Sequence, residues 1–321
     1  MAVYTEVSDE ELVGFMAAYG LGELLSFKGI AEGIENSNYL VQMAAGTYIL
    51  TLYEKRVDPR DLPFFLGLLE HLAARGVACP VPVRTTDGEM LRHLKGRPAA
   101  LVSFLPGLWP RRITPDHCLA LGRALAGLHA AGADFAGQRP NDLSVAAWRP
   151  LITTVGAEID KLQMGLGAFL SHTLDELERD WPGDLPRGII HADLFPDNVF
   201  FRGAEVSGLI DFYFACRDFL AYDLAVCLNA WCFEADFSLN VTKARRLFTG
   251  YSEVRPLEPR EMAAMPLLAR GAAMRFAATR LFDWLNTPAG ALVTRKDPME
   301  YIARLRFHTK VHSAQDYGLA A

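Results

Sequence analysis

Apolar positions along this 321-residue chain keep a helical period at first, alternate for a stretch, and then return to the helical period for most of the remaining length. Ser8-Asp9-Glu10-Glu11 has the form of a capping box and opens a segment with Leu12, Phe15, Met16 and Tyr19 on one helical face, stopped by Gly20. Residues 39–43 and 47–54 read as two strands joined at Ala44-Ala45-Gly46, a hairpin that follows a glycine-containing loop at 29–38. A helix is expected from about residue 62 to 75, ending at Gly76. Cys79-Pro80-Val81-Pro82 then leads into extended chain, Asp87-Gly88 makes a turn, and residues 99–104 form a further strand. Leu105-Pro106-Gly107 breaks the pattern. Thr114-Pro115 starts a helix whose apolar face carries Cys118, Leu121, Leu125 and Leu128. Helical spacing continues to the end, apart from an island of strands within 189–211. The pattern predicts an α+β protein with two lobes, a small antiparallel-sheet N-lobe over residues 1–104 and a mostly helical C-lobe over residues 105–321.

Composition narrows the class. Apolar residues make up 51% and charged residues 22%, as expected of a globular protein with a sizeable core. The net charge is −6 and no basic stripe is present, which argues against nucleic acid as a partner. No apolar run approaches 18 residues, so neither a signal peptide nor a membrane span is expected. Five singly placed cysteines, with no Cys-x-x-Cys pair, fit reduced thiols of a cytoplasmic protein.

The chemistry is concentrated in His191-Ala192-Asp193-Leu194-Phe195-Pro196-Asp197-Asn198, between the apolar runs Gly188-Ile189-Ile190 and Val199-Phe200-Phe201. Thirteen residues after Asn198 stands Asp211, in Gly208-Leu209-Ile210-Asp211-Phe212. This spacing is that of a phosphoryl-transfer loop. An acceptor hydroxyl needs a carboxylate within hydrogen-bond reach, and Asp193 supplies it. The phosphates of ATP need Mg2+, a hard cation with oxygen ligands, for which Asn198 and Asp211 are the candidates. A solvated turn would explain the polar residues but not the apolar runs on both sides.

Other positions carry weaker signals. The loop at 29–38 suits a nucleotide phosphate cradle, with Gly29, Gly33, Asn36 and Ser37 as its candidates, although a plain hairpin turn fits the same residues. By position, Ser103 and Leu105 would meet adenine through their backbone. His191 is expected to be a structural donor to backbone and His129 a satisfied core histidine. Asp223 reads first as a helix cap, with a brace beneath the catalytic loop as the alternative. Arg270, Arg275 and Arg280 recur every five residues and drift around one helix, so at most two of them can face a cleft.

Ala192 stands where protein kinases carry Arg, no Ala-Pro-Glu follows Asp211, and helical sequence resumes by about Tyr222. These absences point to a small-molecule acceptor. The strings Gly33-Ile34-Glu35-Asn36-Ser37-Asn38-Tyr39, Tyr48-Ile49-Leu50-Thr51-Leu52-Tyr53-Glu54, Ile210-Asp211-Phe212-Tyr213-Phe214-Ala215-Cys216 and Leu228-Asn229-Ala230-Trp231-Cys232-Phe233-Glu234 are more specific. With the catalytic loop they resemble the aminoglycoside-phosphotransferase-like family of small-molecule kinases, over nearly the whole chain. The resemblance implies a protein-kinase-like fold, ATP and Mg2+ as cofactors, Asp193 as base, Asn198 and Asp211 as metal ligands, and a small amino-acid substrate phosphorylated on its hydroxyl. For that substrate, Arg275 or Arg280 would take the carboxylate and Glu234 or Asp236 the ammonium. Choline, methylthioribose and aminoglycosides are alternative acceptors.

One departure stands out. Where such kinases place a phosphate-binding Lys in the strand after the glycine loop, alternation puts Thr51, with Lys55 four residues on. The acid that would pair with it is equally open, Glu70 being the one acid in the middle of the next helix. A nucleotide-binding protein of weak activity is therefore the reading from a different class.

Overall fold

The computed structural model describes residues 5–30, 36–54, 57–286 and 295–319. The capping box at Ser8 forms as the sequence requires. Ser8 Oγ accepts from the Glu11 N–H and Glu11 returns the bond, which starts α1 (Asp9–Met16). A five-stranded antiparallel sheet follows, built from β1 (Leu24–Ile30), β2 (Ser37–Met43), β3 (Gly46–Leu52), β4 (Arg92–Leu94) and β5 (Arg97–Ser103) in the order β1-β2-β3-β5-β4. Helix α2 (Leu62–Ala74) lies between β3 and β4 in sequence.

The β2–β3 hairpin matches the alternation. Strand β1 does not appear in it, because Ser26 and Lys28 interrupt the apolar spacing and the strand borders the sheet on one side. Its existence changes the meaning of the loop at 29–38. Gly29 lies inside β1 opposite Tyr39, and Ser37 opens β2, so the turn proper is shorter than the sequence suggested. Gly33 lies outside the described residues, as does Lys55.

The C-lobe contains α3 (Pro115–Ala131), α4 (Val145–Val155), the short α5 (Ile159–Leu162), α6 (Leu166–Asp180), β6 (Arg187–Ile190), β7 (Val199–Arg202), β8 (Glu205–Leu209), β9 (Cys216–Phe219), α7 (Leu220–Trp231), α8 (Val241–Val254), α9 (Pro259–Asn286) and α10 (Pro298–His308). Two small antiparallel pairs, β6 with β9 and β7 with β8, form the strand island. Thr114 caps α3 and its four apolar positions are buried, as the period requires. Strand β9 is a four-residue element that sequence spacing alone does not distinguish from a helix entry.

The core does not divide at the residue 104/105 boundary. Leu12, Phe15, Val41, Leu50 and Leu101 form a separate N-lobe core, but Leu68, Leu69 and Leu72 of α2 join the large C-lobe core. Helix α2 is thus shared between the lobes. On the far side of the C-lobe, α3 and α8 cross with backbones in contact. A Cβ at Gly122 would lie 2.1 Å from the Leu247 carbonyl oxygen, and one at Gly250 would lie 2.0 Å from that of Leu119.

Candidate active site

The loop from His191 to Asn198 links β6 to β7, and six of the eight backbone polar groups from His191 to Leu194 are bonded as follows. Asp223 accepts from the His191 N–H at 2.7 Å and the Ala192 N–H at 2.8 Å. Arg275 donates to the Ala192 carbonyl. His191 Nδ1 accepts from the Asp193 N–H at 3.3 Å. Asn198 Nδ2 and the Phe195 N–H both donate to the Asp193 carbonyl at 2.8 Å. Trp231 Nε1 donates to the Leu194 carbonyl at 2.8 Å. These bonds hold Ala192 at φ +64°, a left-handed conformation that a residue with a Cβ adopts only under constraint. Asp211 is held in the same region at φ +65°.

His191 joins these two strained positions. Fully buried, it donates from Nε2 to the Ile210 carbonyl at 2.9 Å and packs on the Phe212 ring at 4.6 Å. Burial holds its pKa below the ordinary histidine value, so the ring is neutral, with the hydrogen on Nε2. It is a structural donor, and it ties the base loop to the Asp211 turn. The Ile210 N–H returns a bond to the Asn198 carbonyl at 3.0 Å.

Asp223 does not cap its helix. It sits in the first turn of α7, fully buried, and braces the loop from beneath. Burial opposes its charge, but bonds from His129 Nε2 at 3.1 Å and from the loop N–H groups outweigh that, and its pKa lies below the usual carboxylate value. His129 in turn meets the Tyr251 hydroxyl at 2.7 Å. Asp223, Cys227 and Trp231 recur every four residues and so place one face of α7 under the loop. That spacing is visible in the sequence, although nothing there says what the face touches.

Asp193 lines a cavity of about 530 Å³ between the lobes. One wall comes from α9, with Arg275, Phe276, Thr279, Arg280 and Asp283 as a stripe. Arg139, Asp142, Asp61 and Lys296 also line it. Arg139 spans the lobes, bonded to Asp61 at 2.8 Å and Asp142 at 2.6 Å. These residues lay outside the sequence expectation because each comes from an irregular segment or helix end with no motif around it. Of the three α9 arginines, Arg270 pairs with Glu176 away from the cavity. Arg275 is held by Ala192 and sits over the Phe276 ring, and Arg280 bonds Glu300 at 2.6 Å.

Glu234 and Asp236 do not line this cavity, which corrects their expected place beside the acceptor. Helix α7 ends at Trp231 and the chain turns into the α7–α8 corner. There Glu234 is bonded to Lys243 at 2.6 Å and Asn240 at 2.7 Å, and Asp236 closes a turn onto Ser238.

The nucleotide candidates are also redistributed. Ser37 is fully buried, with its hydroxyl donating to Glu54 at 2.8 Å and accepting from the Thr5 N–H. Asn36 Oδ1 accepts from the Glu54 N–H at 3.2 Å. Both side chains therefore anchor the stem of the loop. Ser103 is engaged with Val81 through both its N–H and its hydroxyl. Leu105 lies over Gly208, where a Cβ would meet its side chain at 2.9 Å.

Among the described residues no three His, Cys, Asp or Glu side chains form a metal cage. A divalent cation held by one carboxylate, one amide oxygen and substrate phosphates needs no such cage, and that is how magnesium is commonly bound. Asn198 turns its Nδ2 towards Asp193, leaving Oδ1 for such a cation, and Asp211 adds a carboxylate. The donor set fits Mg2+.

A model of the phosphotransferase enzyme family matches residues 26–257. Solved structures of the same fold include amicoumacin kinase in complex with AMP-PNP and Ca2+ (TM-score 0.68, 17% identity, 96% of this chain and 94% of that one). Choline kinase from Cryptosporidium parvum Iowa II is another (TM-score 0.64, 14% identity, 94% and 95%). The fold is therefore protein-kinase-like, with an antiparallel-sheet N-lobe and a helical C-lobe. The homoserine kinase of Xanthobacter autotrophicus is 62% identical over 321 residues, covering all of both chains. That of Bradyrhizobium sp. (strain ORS 278) is 60% identical over 321 residues, covering 100% of this chain and 99% of the relative. The chain belongs to the phosphotransferase enzyme family and, within it, to the homoserine kinase group.

Proposed function

We propose that this protein transfers the γ-phosphoryl group of ATP to the side-chain hydroxyl of L-homoserine, giving O-phospho-L-homoserine for threonine biosynthesis. The observation that carries the reading is that Asp193 opens onto a cavity with both signs of charge on one helix face, Arg280 and Asp283 standing one turn apart on α9. Homoserine carries a carboxylate and an ammonium beside a primary hydroxyl. Arg280 takes the carboxylate with the part of its fork not bonded to Glu300, and Asp283 receives the ammonium. Arg275 holds the catalytic loop and flanks this pair.

Asp193 accepts the hydroxyl proton as the oxygen bonds to the γ-phosphorus and the bond to the β-phosphate oxygen breaks, releasing ADP. Asn198 and Asp211 hold Mg2+, which when bound offsets the charge of the β- and γ-phosphates. Gly29, at the end of β1, is the nucleotide-loop glycine within the described residues, and the Leu105 backbone meets adenine, since Ser103 is engaged with Val81. The reading implies a cytoplasmic enzyme, where ATP is available and the five buried thiols stay reduced.

The test compares L-homoserine with 4-hydroxybutyrate, which lacks the amine, and 3-aminopropanol, which lacks the carboxylate. Each analogue should lose about 10²-fold or more in kcat/KM, because one of the two charged contacts that orient the substrate is not made. Arg280→Met should abolish the distinction between homoserine and 3-aminopropanol while retaining slow turnover. Equal rates on all three substrates would end the homoserine assignment.

A further inference from the structure

Arg280 reaches the cavity from α9 with only part of its guanidinium committed. Nη1 donates to Glu300 Oε2 at 2.6 Å and to the Asp297 carbonyl at 3.2 Å, both at the start of α10. Nε and Nη2 make no hydrogen bond among the described residues. The other oxygen of Glu300 is taken by Arg304, one turn further along α10, whose Nη2 donates to Oε1. Arg304 is itself buried, and its Nε and Nη1 have no partner among the described residues. One carboxylate thus serves two guanidinium groups, and the cluster keeps a net positive charge where little water reaches it. An anion completes such a cluster, and Arg280 is the member that lines the cavity.

Tyr301, next to Glu300, fixes the other coordinate. Its ring is fully buried and lies 4.4 Å from the Arg280 guanidinium and 4.5 Å from that of Arg304. It also meets Phe276 at 5.1 Å and Phe195 at 6.2 Å, and those two rings meet each other at 4.9 Å. Phe195 stands two residues after Asp193 in the catalytic loop. A packed wedge of rings therefore runs from the Arg280 guanidinium to the loop that carries the base, and close packing holds such rings in place.

We propose that Glu300 is a specificity-determining positioning residue. By holding Arg280 against Tyr301 it fixes the span between the carboxylate anchor and Asp193, so the site selects its acceptor by the number of carbons between carboxylate and hydroxyl. The inference rests on the homoserine reading above, because that reading supplies the carboxylate on Arg280. Glu300 does not line the cavity, so it acts through Arg280. Released from Glu300, the long Arg280 side chain would follow a carboxylate wherever the ligand placed it. A shorter or longer homologue would then bring its hydroxyl to Asp193 nearly as well, and the advantage of a fixed geometry would be lost.

The experiment measures kcat/KM in the intact chain and its variants for L-homoserine and three other acceptors. These are L-serine, one carbon shorter, 5-hydroxy-L-norvaline, one carbon longer, and 3-aminopropanol, which has no carboxylate. In Glu300→Gln the amide oxygen can accept from one edge only, and the charge shared by the two arginines is gone. The preference for L-homoserine over either homologue should fall about 10-fold, the scale of one hydrogen bond to a charged group. The rate on 3-aminopropanol, which makes no use of Arg280, should fall far less. Adding Glu300→Gln to Arg280→Met should cause no further loss of preference. Each preference is a ratio within one sample, so unfolded protein cancels from it. Glu300→Asp keeps the charge but withdraws it by one carbon, and it should lower the same preference if the glutamine variant does not fold. An intact preference in these variants, an equal fall on 3-aminopropanol, or a further loss in the double variant would overturn the proposal. Wild-type protein that treats L-homoserine and 3-aminopropanol alike would overturn the homoserine reading and this proposal with it. Wild-type discrimination that survives in Glu300→Gln would leave that reading standing and overturn the proposal alone.

Discussion

Around Asp193 the backbone is held by charges, Asp223 below the loop and Arg275 on the Ala192 carbonyl, with His129 bonded to Asp223 from behind. Around Thr51, across the cleft, the corresponding framework is neutral, the Asn38 amide oxygen accepting from the Thr51 hydroxyl and the rings of Tyr53, Phe65 and Tyr213 packing edge to face. The difference follows from what each region must do. The loop must keep a residue with a Cβ at positive φ, and a carboxylate accepting two backbone N–H groups in a buried site does that with charge-assisted bonds. The β3–α2 face must set a distance between two lobes, and interlocking aromatic edges with short neutral bonds are sufficient. Charge is thus kept where it meets the reacting atoms or strained backbone, and replaced where the requirement is only position.

The largest effect should come from the reacting carboxylate. Asp193 supports the loop through its backbone N–H and C=O, both of which an isosteric Asn keeps. Asp193→Asn should therefore lower kcat by about 10²–10⁴-fold with Tm nearly unchanged. A large Tm loss would mean that the charge is structural after all, and the contrast with Asp223 would disappear.

Asp223→Ala removes the acceptor of two buried N–H groups and the partner of His129. A loss of about 3–5 kcal/mol in denaturant unfolding is expected, with kcat falling in whatever fraction folds. A cost near that of an ordinary surface substitution would show that the loop keeps its shape without the charge.

The buried histidines give a pH dependence. His308, bonded to Tyr317 and Asn229, is pushed down to about 3 by burial, and His191 is lowered by the same cause. In the unfolded chain both take up a proton below about 6.5. The unfolded state then binds more protons than the folded one, so stability falls as pH drops below about 6.5 and continues falling towards 3 for His308. Each histidine contributes up to about 1.4 kcal/mol per pH unit in that window. Unfolding midpoints between pH 7 and 5 measure the slope, and His308→Gln should reduce it by close to one proton. An unchanged slope would place the charged form of His308 within the fold.

The smallest effect belongs to the neutral side. Ser37→Ala removes bonds to Glu54 and the Thr5 N–H and should cost about 1–2 kcal/mol, with a modest rise in KM for ATP and no change in kcat. A kcat defect would give the loop stem a role beyond anchoring.

Candidate residues that their spacing brings together were legible in the chain. Asp193, Asn198 and Asp211 are brought to one loop and its neighbouring turn because two short apolar strands leave them no other place. Thr51 as the site of the missing cation was equally visible from strand alternation. The far wall of the cavity was legible only in part, through Arg275 and Arg280. Glu234 and Asp236 follow a buried helix and look near the cleft, yet Trp231 is drawn beneath Leu194, and the turn beyond it takes both acids to another corner. Asp283, which the sequence reading did not name, gains its place from how α9 crosses the catalytic loop, and that crossing depends on long-range packing that no local period encodes. Strand β1 was missed because its pairing with β2, rather than its own composition, makes it a strand.

The glycine seam between α3 and α8 extends the reach of the catalytic loop to the opposite face of the protein. Tyr251 follows Gly250 directly, its hydroxyl meets His129 of α3, and His129 meets Asp223. Widening the seam by a single methyl group would move the first member of that relay, and the displacement would arrive at Ala192. A screen for inactive variants should therefore recover alanines at Gly122 and Gly250, neither of which lines the cavity at Asp193.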